Sequence, residues 1–275
     1  MIGVKHLRNR FVLLFVLILL SNQSQYLQAS PWAIPGDLVL RHDIQLLVDS
    51  GVINIPMTTW PLAWGDIAYN LSKTEKEMTS LELASFQRIK ESLLKEELGG
   101  VSANTSLKFA KNPETISSFN DSVGSSSEIE GESTYLGKNF AINIHVNKLG
   151  GETIFDESYI AVALGDYSFS LGSKKNWWGP GWGGSLILST NANPITGISI
   201  ERNLSDSFEA KLLNWIGPWD LSILLGELEH SRTVPDALFF GIRIGSRPLT
   251  NLEIGFSKTS ILCGENRPCG FSSFS

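Results

Sequence analysis

From Ser102 onward the chain reads with a period of two, and this constrains the fold more than any other feature. Ala141-Ile-Asn-Ile-His-Val-Asn147 alternates strictly, with Ile142, Ile144 and Val146 on one face and Asn143, His145 and Asn147 on the other. Successive side chains of a strand point to opposite faces, so this spacing predicts a two-sided sheet. Similar segments run from Tyr159 to Leu164, Tyr167 to Leu171, Phe208 to Trp215, Trp219 to Glu229, Leu238 to Gly245 and Leu252 to Ser260. Strands of about 8–10 residues divided by turn residues are the pattern of an outer-membrane barrel, although a two-sheet sandwich gives a similar one.

The connections favour the barrel. Gly137 to Asn139, Gly165-Asp166, Asn191 to Pro194, Gly217-Pro218 and Arg247 to Thr250 are short. Lys148 to Asp156, Lys174 to Gly184 and Glu229 to Asp236 are long, and Asn203 to Asp206 breaks the trend. Barrels sort short turns to the periplasmic end and long loops to the outside, whereas a sandwich has no reason to do so. The sorting puts the Trp-rich segment and the cysteine loop at one external end. Charged residues make up only 18% of the chain and hydrophobic ones 42%, as suits a surface facing lipid. The net charge of −6 argues against nucleic acid as a partner.

Lys5, His6, Arg8 and Arg10 precede the apolar run Phe11 to Leu20, too short to span a bilayer but suited to the core of a signal peptide. Residues 1–29 are therefore expected to be a signal peptide cleaved after Ala29, and the chain to be exported. Residues 30–100 are expected to form a periplasmic helical domain. Asp37 caps its first helix, Thr59 its second with Pro61 in the first turn, and Ser80 opens a third that Gly99-Gly100 stops. Residues 101–275 make up the β-barrel portion. The fold class is mainly β: a transmembrane antiparallel β-barrel, incomplete in this chain, preceded by a small α-helical domain.

Lys174-Lys-Asn-Trp-Trp-Gly-Pro-Gly-Trp-Gly-Gly184 is the most distinctive stretch. Three indoles in a loop rich in Gly and Pro are expected to be exposed in part. Trp177, Trp178 and Trp182 would then offer flat faces for sugar rings, with Lys174, Lys175 and Asn176 pairing acidic groups and hydroxyls. The alternatives are an aromatic girdle at the membrane interface or a loop folded inward to plug the lumen. Cys263 and Cys269 read as a disulfide in an oxidising compartment. The four His are scattered at 6, 42, 145 and 230, so neither a metal site nor a cofactor is expected. Glu128, Glu130 and Glu132 share one face and read as lumen or solvent charges rather than a glycosidase pair. No nucleophile elbow, zinc-protease motif or phosphate loop is present, and no enzymatic activity is expected.

Ser30-Pro-Trp32, Leu40-Arg-His-Asp-Ile-Gln-Leu-Leu47, Gly51-Val-Ile53 and Thr58-Thr-Trp-Pro-Leu-Ala-Trp64 occur in that order. Trp177-Trp-Gly-Pro-Gly-Trp182, Ser185-Leu-Ile-Leu-Ser189, Asn191-Ala-Asn-Pro194, Arg247-Pro-Leu249 and Cys263-Gly-Glu-Asn-Arg-Pro-Cys269 follow. Together they resemble the capsule-assembly Wzi family of outer-membrane proteins. The resemblance implies an occluded barrel in the outer membrane with a periplasmic helical bundle. It implies a lectin-like role without catalysis, in which the partners are capsular or extracellular polysaccharide, outer-membrane lipid and periplasmic components met by the helical domain. Family members are longer, and about ten to twelve strands are expected here. An open sheet edge in lipid is prohibitive, so a fragment or a chain needing a second piece is expected. Two other functions remain open at this point. One is an exported carbohydrate-active enzyme on a β-sandwich. The other is a cell-wall polymer-binding module, since Asp43 to Ile53 followed by Thr58-Thr-Trp-Pro loosely resembles surface-layer homology modules.

Overall fold

A computed structural model describes residues 32–113, 116–120, 126–149, 152–230, 232–264 and 269. The expected signal peptide, 1–29, lies outside them.

Three helices come first. In α1 (Leu38–Asp49), the Asp37 carboxylate accepts from the backbone N–H of Val39 and Leu40 at 2.8 and 2.9 Å, the expected N-cap. The third helix, α3 (Ser80–Glu97), starts one residue after Thr79, which forms a capping box with Glu82. It ends where Gly99 and Gly100 turn to φ +59° and +87°. The second, α2 (Trp64–Lys73), departs from expectation. Thr59 does not cap it: Thr59–Trp60 forms a short strand β2, and Leu62–Ala63 a strand β3 paired with β1 (Trp32–Ala33). The reason is that the barrel wall takes the Thr58 and Thr59 hydroxyls. Thr58 donates to Glu253 at 2.6 Å, and Arg243 donates to Thr59 at 2.8 Å.

A single antiparallel sheet follows. Its strands are β4 (Gly100–Phe109), β5 (Ser127–Leu136), β6 (Phe140–Leu149), β7 (Glu152–Ile154), β8 (Tyr159–Leu164), β9 (Tyr167–Gly172), β11 (Thr196–Arg202), β12 (Trp219–Glu227), β13 (Leu238–Leu249) and β14 (Leu252–Leu262). Neighbours in space are mostly neighbours in sequence, from β4 at one edge to β14 at the other, with β7 as a flap on β6. Among the described residues the sheet does not close on itself. The expected strand Phe208 to Trp215 is absent. Both edges of β11 are already occupied, by β9 and β12, so no slot remains. Residues 203–218 instead form a loop in which Phe208 stacks on Trp219, with ring centroids 4.8 Å apart. Without that strand, Asn203 to Asp206 falls at the end that carries the tight turns 137–139, 165–166 and 250–251. The connection Asn191 to Pro194 is no hairpin turn either, since residues 173–195 form one long connection broken only by the short strand β10 (Trp177–Trp178).

The sheet is turned inside out relative to one bathed in water. Ile129, Ile144, Ile160, Leu171, Ile198, Leu225 and Phe256 are exposed on its outer face. Asn143, His145, Ser168, Ser170, Ser199, Glu201, Ser222 and Arg243 are buried on its inner face. Exposed apolar side chains repeated across adjacent strands form a band fit for hydrocarbon, and the polar lumen has to be filled. The helices and the Trp-rich loop fill it.

Ile144→Arg, at a side chain 54% exposed on the outer face, is therefore expected to cost about 2–4 kcal/mol if it lies near the bilayer midplane. Leu81→Arg, on the exposed face of α3, is expected to be near neutral. Urea unfolding in liposomes, followed by heat-modifiable mobility, reads both; equal effects would contradict the outward assignment.

Candidate functional site

The Trp-rich loop leaves the sheet at Gly172, whose φ of +130° and position against Ser158 leave no room for a side chain, a Cβ meeting the Ser158 oxygen at 2.2 Å. The loop then turns into the lumen. Lys174 goes first. Its ammonium pairs with Glu201 at 2.7 Å, donates to Ser170 at 2.8 Å and to Ser199, and lies 4.0 Å from the centre of the Trp32 ring. It is buried, so its role here is to anchor the loop to the inner wall.

The two central indoles are buried as well. Trp177–Trp178 pairs antiparallel with β2, Trp177 opposite Trp60 and Trp178 opposite Thr59. Gly179 N–H donates to the Thr58 carbonyl at 2.9 Å and extends the ladder. Trp177 is 0% exposed, and its indole N–H donates to the Gly181 carbonyl at 2.9 Å. Phe119 stands edge-on between Trp60 and Trp177, with centroid distances of 4.9 and 5.4 Å. These rings belong to the same core as Ile44, Leu47, Val48, Ile67 and Ile89, so the helical bundle's core is completed by loops of the barrel.

Arg41 was not singled out from the sequence and is central to the site. It lies on α1, buried, and donates from one guanidinium nitrogen to the carbonyls of Pro180 and Gly181, both at 3.0 Å. Its guanidinium sits 4.2 Å from the Phe119 ring centre, 4.6 Å from that of Trp182 and 5.8 Å from that of Trp177. Desolvation lowers its pKa to about 10, so it stays charged at neutral pH. The sequence did carry a signal: Arg41 lies three residues before Ile44, on the apolar stripe of α1, where a cation is out of place unless a partner awaits it.

Of the six residues expected to bind polysaccharide, the structure leaves one indole open. Trp182 is 39% exposed, while Lys174, Trp177 and Trp178 are buried. An exposed indole thus holds for Trp182, while Trp177 and Trp178 follow the alternative of a loop folded into the lumen, because a ladder to β2 and a shared aromatic core outweigh the loop's Gly and Pro content. Lys175 is half-buried in a 2.7 Å ion pair with Glu157, and Asn176 donates to the Lys174 carbonyl at 2.9 Å. Cys263 and Cys269 are disulfide-bonded at the same end of the sheet. The three glutamates face the lumen: Glu128 accepts from Asn147, and Glu130 pairs with Lys108 at 2.7 Å.

The opposite end is fastened by charge. Glu253 accepts from the N–H groups of Met57 and Thr58, and Arg243 donates to the hydroxyls of both Thr58 and Thr59. Asp66 of α2 accepts from Ser205 N–H at 3.1 Å, in the loop between β11 and β12. Burial pushes its carboxyl up to about 7, against the pull of the Ser205 hydrogen bonds and the Arg202 charge, while the Asp220 charge adds to the rise.

Residues 101–275 match the family described as Capsule assembly protein Wzi. An uncharacterized 55.8 kDa protein in the cps region of Klebsiella pneumoniae is 29% identical over 249 residues, which is 87% of this chain and 48% of the relative. A solved structure with a TM-score of 0.74 and 27% identity covers 88% of this chain and 56% of its own. That protein is Wzi, an outer membrane protein involved in group 1 capsule assembly in Escherichia coli and a carbohydrate-binding β-barrel. The chain thus spans about half the length of these relatives.

Two outcomes are expected from this geometry. Trp177→Ala, which empties a fully buried indole site, is expected to destabilise by about 3–5 kcal/mol and to open the 173–195 loop to protease. Unchanged cleavage kinetics would contradict the docked loop. Asp66 has a folded pKa raised to about 7 from 3.8, so its contribution is full below about pH 4 and is lost as pH rises through 7. Bundle docking, read by hydrogen exchange of α2, is expected to be tighter at pH 5 than at pH 8. Asp66→Asn is expected to flatten that difference, and an unaltered slope would refute the assignment.

Proposed function

This chain belongs to the Wzi family of capsule assembly proteins, and from that premise we propose that it is a lectin-like protein of the bacterial outer membrane, binding capsular or extracellular polysaccharide without catalysing its conversion. The observation that carries the reading is the sheet's inversion around a filled interior: an apolar outer face fit for outer-membrane lipid, and a lumen occupied by the bundle and the Trp-rich loop. A filled lumen favours holding a polymer over conducting it. The signal peptide, residues 1–29, delivers the chain across the inner membrane. The helical part, residues 30–100, faces the periplasm and is free to meet partners there, and the barrel portion, 101–275, carries the long loops to the cell surface.

The polysaccharide contact is assigned to the segment Lys174, Lys175, Asn176, Trp177, Trp178 and Trp182, with divided roles. Trp182 stacks on sugar rings, its inner face backed by Arg41. Lys175 and Asn176 approach hydroxyls and acidic groups from the loop's rim. Lys174, Trp177 and Trp178 hold the loop in place from below.

Trp182→Ala is expected to weaken binding of purified capsular polysaccharide by about two- to tenfold, the loss matching one aromatic stacking contact, while the heat-modifiable barrel band persists. Unchanged affinity with an intact barrel would remove Trp182 from the site. No saccharide binding by the wild-type chain would overturn the function itself.

A further inference from the structure

The helical end of the lumen contains a cleft of about 370 Å³ that no residue of the Trp-rich segment lines, although Lys174 lies over the far side of its Trp32. It opens between the C-terminal half of α3 and the inner faces of β4, β5 and β6. One wall is a row of polar side chains set by strand register: Ser102 lies opposite Thr134, which lies opposite Asn143, and Asn104 lies opposite Glu132. Thr134 donates to Asn143 at 2.6 Å, and Asn143 donates to the Glu157 carbonyl at 2.9 Å, so these two are already satisfied. Ser102, Asn104 and Glu132 have no side-chain hydrogen-bond partner among the described residues. The floor is aromatic, with Trp32 and Tyr159 packed edge to face at a centroid distance of 5.7 Å.

We infer that this cleft is a second saccharide-binding site, for an uncharged oligosaccharide of one or two hexose units, on the helical side of the plug. The inference rests on the carbohydrate-binding reading above and extends it to the other end of the molecule. The volume is in the range of small-ligand pockets, about 300–1,000 Å³. A free carboxylate, amide and hydroxyl in one row match the donors and acceptors of vicinal sugar hydroxyls, and Trp32 and Tyr159, both buried, give the cleft an apolar floor beneath them. Glu132, Glu96 and Asp37 outnumber Lys95 around the cleft, which disfavours phosphorylated or acidic ligands. A polysaccharide-binding protein with saccharide sites on both sides of a filled lumen can contact polymer, or its precursor chains, from the periplasm as well as from outside.

The test is stoichiometry. Neutral oligosaccharides of two to six sugars, released by mild acid from the host's capsular polysaccharide and freed of acidic fragments by anion exchange, are titrated calorimetrically into the chain in a sugar-free amine-oxide detergent. Two sites per chain are expected. Trp182→Ala is expected to weaken one site about two- to tenfold and leave the other unchanged, Asn104→Ala with Glu132→Ala to leave one site, and the triple variant to leave one weakened site, all with unaltered heat-modifiable mobility. If Trp182→Ala removes all binding, or the cleft pair leaves the stoichiometry unchanged, the second site is refuted while the surface site stands. If the wild-type chain binds nothing, the carbohydrate-binding reading falls and this inference with it.

Discussion

Two segments entering the sheet from opposite ends meet inside it, and the rest of the interior is arranged around that meeting. Residues 57–60 come up from the helical end and Trp177 to Gly181 come down from the loop end. They pair as a short antiparallel ladder, Trp60 to Trp177 and Thr59 to Trp178. A polar lumen needs such a filling, because backbone groups and ionised side chains buried without partners cost several kcal/mol each. The filling satisfies many of them at once. Thr58 and Thr59 take up Arg243 and Glu253 from the wall. Arg41 takes up the Pro180 and Gly181 carbonyls of a loop whose prolines and glycines leave little regular pairing.

This arrangement divides the labour of the Trp-rich loop. Trp177 and Trp178 are sunk into the aromatic and aliphatic core of the bundle, and this fixes the loop's height in the lumen. Trp182 stays at the surface with the Arg41 guanidinium behind it. A rigid indole backed by a cation has lost little freedom that binding would still have to remove, so contact with a sugar face is cheap in conformational entropy. Lys174 belongs to the scaffold, since its ammonium is enclosed by Glu201, Ser170, Ser199 and the Trp32 ring. The same sheet carries, nearer the helices, the row of polar groups assigned to the second saccharide site, in which Ser102, Asn104 and Glu132 have no side-chain hydrogen-bond partner among the described residues.

Much of the fold was legible in the sequence, because strand periodicity and turn residues are local signals. The alternation at Ala141 to Asn147 separated Ile144 from Asn143 onto the two faces that the structure shows as outer and inner, and the Asp37 cap and the Gly99-Gly100 stop were read correctly. The failures came where tertiary contacts override local ones. Thr59 has the composition of a helix cap, yet its hydroxyl accepts from an arginine 184 positions away. Phe208 to Trp215 has strand periodicity, but β9 and β12 leave it no edge to join. The sequence left Trp177 and Trp178 between a surface contact and a loop folded inward to plug the lumen, because loop composition says nothing about which distant segment will cover them; the structure takes the inward course for these two. Arg41 was passed over for the same reason: its partners lie about 140 residues away, and only its place on an apolar helix stripe pointed to them.

Hydroxyl-radical footprinting of the tryptophans, on the chain inserted in outer-membrane vesicles, addresses the arrangement most directly. Trp182 is predicted to be oxidised rapidly and to be protected when capsular polysaccharide is added, while Trp60, Trp177 and Trp178 stay protected with or without it. Rapid oxidation of Trp177 and Trp178 would show that the loop is not docked on the bundle. Indifference of Trp182 to polysaccharide would show that the sugar is held elsewhere.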